Sequence, residues 1–119
     1  MSSRAEREAR GRRGETIAAW YLRLTGWKVL ATRARCPRGE VDIVARRGRL
    51  VAFVEVKWRR DARDLDQSID HFRLRRVAAA AEALAPRYAK PGDDLRIDVL
   101  LLAPGKWPHR IANAWQSGA

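Results

Sequence analysis

"GEVDIVARRGRLVAFVEVKWRR", residues 39–60, carries two apolar runs on either side of "RRGR", with three carboxylates and a lysine inside them. Runs of this length and β-branched content, separated by a Gly-containing break, predict a β-hairpin, with strands near 40–45 and 50–58. Side chains alternate across a strand, so the hairpin can be read by parity. Val41, Ile43 and Ala45 share one face of the first strand, and Leu50, Ala52, Val54 and Val56 share one face of the second. Only one parity of pairing joins these two apolar faces. That parity gathers Glu40, Asp42, Glu55 and Lys57 on the other side. A two-residue turn at Arg47-Gly48 has this parity; it sets Asp42 opposite Phe53, diagonal to Glu55, with Glu40 facing Glu55.

Like charges set against each other are destabilising. A divalent cation between them would relieve the crowding, since Mg²⁺ takes hard oxygen ligands at about 2.1 Å and keeps several waters. Lys57 projects from the same face roughly 6–7 Å along the strand, within reach of a substrate phosphate or an attacking water. The simpler explanation is a half-solvated antiparallel strand with an ordinary polar face. Against it, Val44, Val51 and Phe53 make this face partly apolar, so its charges are poorly hydrated. The helix preceding the hairpin is expected to cover it.

That helix is expected from Gly14 to about Thr25, with Ile17, Tyr21 and Leu24 at i, i+4, i+7, Ala18, Leu22 and Thr25 beside them, and Gly26 as its stop. Glu15 lies on or beside the core stripe, either as a fourth acid of the cluster or as a first-turn acid favoured by the helix dipole. "WKVLAT" (27–32) predicts a first strand and "RARCPRG" (33–39) a basic turn. Residues 59–67 are charged and loop-like. "SIDHFRLRRVAAAAEALA" predicts a helix with Leu74, Val77, Ala81 and Leu84 on one stripe, Ser68 as N-cap and Pro86 at its end. "LRIDVLLLA" (95–103) reads as a well-covered strand, and "HRIANAW" (109–115) as an edge strand. The expected order is α-β-β-β-α-β-β, an α/β (α+β) domain over residues 14–119 preceded by a flexible basic arm, residues 1–13.

The chain has 119 residues, enough for one modest core. Lys and Arg number 25 against 14 Asp and Glu, a net charge of +11. Nearly all the basic residues are Arg, which holds phosphate in a bidentate fork, so the expected partner is nucleic acid, DNA ahead of RNA. Arg33, Arg35 and Arg38 in the turn, Arg59 and Arg60 after the second strand, and Arg73, Arg75 and Arg76 on the helix are the candidate phosphate contacts. They read equally well as a solvated face balanced by Asp61, Asp64, Asp66 and Asp70. The single cysteine, Cys36, rules out an intramolecular disulfide and fits a reducing compartment. No apolar run approaches a membrane span and the N-terminus lacks a signal-peptide pattern, so a cytoplasmic protein without membrane association is expected. His71 and His109 do not suggest a zinc site. The five tryptophans are expected in core or edge packing, with Trp58 the candidate for base stacking.

In its motifs "GETIAAWYLRLTGWKVL", "GEVDIVARRGRLVAFVEVKWR" and "LRIDVLLLA" through "IANAW", the sequence resembles the YraN-like family of uncharacterised bacterial proteins, a branch of the PD-(D/E)xK nuclease superfamily akin to archaeal Holliday-junction resolvases. The resemblance implies a restriction-endonuclease-like core with a mixed central sheet flanked by helices. It places the metal-ligand acid on Asp42, the Glu-x-Lys on Glu55 and Lys57, and a backbone-carbonyl ligand on Val56. The helix-one acid falls on Glu15, and Glu40 falls beside the site. Val41 stands where the superfamily has Pro, and Arg73 where the family usually has Lys.

The expectation is therefore a Mg²⁺- or Mn²⁺-dependent endonuclease acting on branched or structured DNA, with Asp42, Glu55 and Lys57 catalytic. Resolvases cut as two-fold dimers, which implies a homodimer. The alternatives are a non-catalytic nucleic-acid-binding protein of the same fold, and a structural or partner-binding protein whose charge reflects composition alone.

Overall fold

The hairpin forms, with its turn one residue later than expected. In a computed structural model, which describes residues 3–58 and 71–115, β2 (Gly39–Arg47) pairs antiparallel with β3 (Leu50–Trp58), and Arg47 faces Leu50. The turn is Gly48-Arg49, with φ +63° at Gly48. A positive φ at the first central residue is the pattern of a II′ turn, which asks for Gly there. Moving the turn by one residue shifts the register by two, so parity is preserved. Continuing the ladder one step beyond its last pair, Ile43 with Val54, brings Asp42 level with Glu55 rather than with Phe53.

β1 (Lys28–Cys36) extends the sheet, antiparallel to β2. The basic turn expected at 33–39 is mostly strand; only Pro37 and Arg38 separate Cys36 from its partner Gly39. Leu30 is an extra residue, because the register shifts between Val29 and Ala31, and Arg33 has a positive φ of 52°. β4 (Asp94–Leu102) runs parallel to β3, and β5 (His109–Ile111) closes the order β1-β2-β3-β4-β5. Parallel neighbours need a crossover, and α2 (His71–Tyr88) lies within it. The structure is thus a mixed α+β fold, a five-stranded mixed sheet flanked by two helices, compatible with a restriction-endonuclease-like core.

The two helices divide the sheet faces. α1 (Arg4–Leu24) packs Ala18, Ala19 and Leu22 on Ile43, Ala45, Ala52, Val54, Leu100 and Leu102. α2 packs Leu74, Val77, Ala80, Ala81 and Leu84 on Val44, Val51, Phe53, Val99 and Leu101. Each fully buried aliphatic side chain contributes roughly 1.5–3 kcal/mol relative to exposure. The wholly apolar face therefore belongs to α1. The face bearing Asp42 and Glu55 is covered by α2, and the expectation that the first helix covers it is corrected. The α2 cover follows from the parallel β3–β4 pair, whose crossover has to traverse one face.

Other boundaries also move. α1 begins at Arg4, not at Gly14, and its buried stripe is Ala18–Ala19–Leu22, leaving Ile17 and Leu24 exposed. Gly26, at φ +95°, ends it as expected. Pro86 lies inside the last turn of α2, which continues to Tyr88; the N–H that proline lacks affects a single helical bond so near the end. Ser68 and the loop at 59–67 lie outside the described residues. Val41 joins the α2-side core rather than the α1 side, just past the point where the β2–β3 ladder stops. Of the tryptophans, Trp27 is core and Trp58 and Trp115 are half-buried, whereas Trp20 and Trp107 are exposed. Among the described residues no helix is long and apolar enough to cross a membrane.

Candidate metal centre

Four acids meet at one end of the sheet. β2 presents Glu40 and Asp42, β3 presents Glu55, and α1 brings Glu15 from the opposite layer. Carboxylate oxygens of Glu15, Glu40 and Asp42 lie within 4.8 Å of one another. Glu55 is not part of that close group, but it lines the same pocket of about 510 Å³ with Glu40, Asp42, Arg73 and Arg76.

The local backbone explains the convergence. The β2–β3 pairing ends at Ile43 and Val54, and beyond it the Asp42 side chain takes over: its Oδ2 accepts the Val56 N–H at 2.8 Å. In a strand the N–H and C=O of one residue point the same way, so the Val56 carbonyl is also directed to the Asp42 side. Glu55 is 4 % exposed. Its Oε1 lies 2.7 Å from Arg73 Nε and 3.8 Å from Lys57 Nζ, yet accepts no well-directed hydrogen bond. These two cations offset the cost of burying the carboxylate.

Burial, and then the neighbouring charge of Glu55, push the Asp42 carboxyl up to about 7; the Val56 amide and Arg73 act in the opposite direction, and Glu15 adds to the rise. Glu15 accepts a hydrogen bond from Arg33 Nε at 2.6 Å, and Arg35 Nε pairs with Glu40 at 3.3 Å. The donor set, three close carboxylate oxygens beside the buried Glu55 carboxylate, is chemically suited to a hard divalent cation.

Residues 14–102 match the profile of the uncharacterised protein family UPF0102. The chain belongs to that family. It is 64 % identical over 114 residues to a UPF0102 protein of Sphingopyxis alaskensis, covering 96 % of this chain and 98 % of the relative. A UPF0102 protein of Erythrobacter litoralis is 62 % identical over 109 residues, covering 92 % and 94 %. One from Rhizorhabdus wittichii is 56 % identical over 115 residues, covering 97 % and 98 %. The UPF0102 match spans Glu15, Glu40, Asp42, Glu55 and Lys57.

The remaining candidates are distributed. Arg73 and Arg76 line the acidic pocket, while Arg75 is exposed on α2 outside it. Arg33 lines a second groove beside Glu15. Arg38 reaches Glu82 of α2 at 3.9 Å. Arg59 and Arg60, with Asp61, Asp64, Asp66 and Asp70, lie outside the described residues. Trp58, the stacking candidate, is half-buried against the α1-side core. A Cβ on Gly14 would come 2.3 Å from Trp58 Nε1, so the closeness of α1 to the end of β3 depends on that glycine.

Three features escaped the sequence reading. Phe72 lines the acidic pocket. Arg12 and Arg23 flank the second groove. Asp98 is fully buried and accepts bonds from Arg96 Nε (2.9 Å), Arg96 Nη2 (2.9 Å), Arg110 Nη1 (3.2 Å) and the Asn113 amide (2.9 Å). A lone acid inside the apolar run "LRIDVLLLA" is the signal that could have revealed Asp98.

Proposed function

We propose that this chain is a Mg²⁺- or Mn²⁺-dependent endonuclease of the PD-(D/E)xK type, hydrolysing phosphodiesters in branched or structured DNA. The observation that carries the reading is the convergence of Glu15, Glu40 and Asp42 oxygens within 4.8 Å, two of these acids lining one pocket with Glu55. Asp42 and Glu55, with Glu15, Glu40 and the Val56 carbonyl, would hold the metal. A bound divalent ion supplies water of lowered pKa and positive charge opposite the scissile phosphate. Lys57, its side chain 11 % exposed and 3.8 Å from Glu55, holds an ammonium where negative charge grows on the phosphate. Arg73, 57 % exposed, and Arg76 bring further cations to the mouth of the pocket. The preference for branched DNA, cleavage by a two-fold homodimer and a cytoplasmic site of action rest on the resemblance to Holliday-junction resolvases and the single cysteine.

A second reading is favoured by the ion pairs already present. Arg33 on Glu15, Arg35 on Glu40 and Arg73 on Glu55 neutralise three of the four acids without metal, as suits a nucleic-acid-binding protein that keeps the fold and performs no chemistry. The two separate by incubation with fork and four-way-junction DNA. Cleavage that requires Mg²⁺ or Mn²⁺ and is lost in Asp42→Asn and Lys57→Ala, with DNA binding retained, supports the enzyme. Intact DNA at every metal concentration, with binding retained, overturns it. For Lys57→Ala the expected loss in rate is about 10²–10³-fold, as for removal of one charge-stabilising donor.

A further inference from the structure

Beside the acidic centre, on the side away from α2, a groove of about 340 Å³ runs between α1 and β1. Arg12, Thr16, Ala19 and Arg23 fall at i, i+4, i+7 and i+11, a single face of α1, and Thr32 and Arg33 of β1 form the other wall. Ala19 is buried at its floor; the two threonines and three arginines are exposed. Among the described residues neither Arg12 nor Arg23 has an ion-pair partner. Glu15 lines this groove and also belongs to the close group with Glu40 and Asp42. The groove and the acidic centre therefore share a side chain, Glu15.

Its shape selects the class of ligand. Arg12 and Arg23 are eleven residues apart, about 16 Å along the helix axis, too far to converge on one small anion. That separation instead suits different phosphates along one strand. Guanidinium forks suit phosphate oxygens, and the Thr32 hydroxyl is an ordinary backbone contact; the Thr16 hydroxyl already donates to the Arg12 carbonyl at 3.0 Å. Arg33 is held at a φ of 52°, which a residue other than Gly adopts at some cost and which concentrates at functional sites. That conformation accompanies the Nε bond to Glu15, and four other N–H donors remain on the guanidinium.

We propose that the α1–β1 groove is a binding site for the phosphodiester backbone of the nucleic-acid strand delivered to the acidic centre, with Arg12 and Arg23 gripping phosphates on either side of Glu15. Arg23 lies eight residues from Glu15, about 12 Å along the axis, so the phosphate it holds is a neighbour along the strand and not the one at the centre. The inference deepens the nuclease reading and rests on it for the strand's destination, but the binding is measurable without catalysis.

The test is fluorescence anisotropy of a labelled single-stranded oligonucleotide and its duplex, in EDTA, across a salt series. Arg12→Ala/Arg23→Ala should bind more weakly and flatten the dependence of log affinity on log salt by about two, close to one per lost phosphate contact. Arg12→Lys/Arg23→Lys should keep most of the slope. A charge-matched control, Arg49→Ala/Arg87→Ala, removes exposed arginines elsewhere and should leave it unchanged; circular dichroism verifies the fold of all three. A double alanine variant with the wild-type slope, or with the control's, overturns the groove. So does a polyglutamate chain of equal charge that binds wild type as tightly as the oligonucleotide, which would identify an acidic protein as the ligand. Groove-dependent binding by a protein that never cleaves DNA supports the groove and overturns the nuclease reading alone. Cleavage with a slope indifferent to Arg12 and Arg23 does the reverse.

Discussion

Asp42 is subject to two opposed influences: the Val56 amide favours its charge, while burial and Glu55 oppose it more strongly. Its carboxyl moves from an ordinary 3.8 to about 7, so the folded chain holds this proton more tightly than the unfolded one. The metal-free protein should therefore lose stability as pH rises from about 4 through about 7, as the folded state ionises a group it disfavours. Melting temperature against pH should show this slope in wild type and a flatter one in Asp42→Asn, which should also melt higher near neutrality. A clear drop in the variant's melting temperature would instead make Asp42 a structural partner of the Val56 amide. A cation must bind the ionised form, so Mg²⁺ binding at about pH 6 should release a proton. Calorimetric titration in two buffers of different ionisation heat measures that release.

At the scale of elements, two contacts decide how helices and edge strand hold the centre. Gly14→Ala places a methyl group against the Trp58 indole, which should cost about 1–3 kcal/mol, as overpacking does, and change the near-ultraviolet circular dichroism. Asp98→Ala leaves two guanidinium groups and the Asn113 amide without their acceptor. A loss of roughly 3–5 kcal/mol is expected, with hydrogen exchange accelerated first in β5. An unchanged exchange pattern would show that β5 is held by other contacts. The hairpin was legible because its charged face depends only on parity, which a turn misplaced by one residue leaves intact. The partner of that face was not legible. Which layer receives α1 is set by the crossover between β3 and β4, and nothing within 14–25 records it. The α2 stripe of Leu74, Val77, Ala81 and Leu84 was visible because all four positions face one layer. In α1 two of the buried residues, Ala18 and Ala19, are small, and the larger Ile17 and Leu24 remain outside beside the buried Leu22, so size misled the periodicity.

For the molecule as a whole, a charge of +11 on 119 residues would make the proposed association with DNA an ion-exchange process. With six to ten phosphates neutralised, affinity should fall by about 10³–10⁵-fold between about 50 and 200 mM salt. A nearly flat titration would mean that the arginines balance local acids and little else. Arg38 with Glu82 and Arg46 with Asp93 already do so, which is why counting arginines in the sequence could not divide the phosphate contacts from the internal pairs. The same distribution of charge bears on how molecules meet one another. β1 is the outermost strand on its side of the sheet, nine residues long, with an inserted residue at Leu30 and with Lys28, Arg33 and Arg35 along it. An irregular, cationic rim of this kind is a poor template for another chain's backbone. Concentrated preparations should therefore resist growing into fibrils by edge-to-edge stitching.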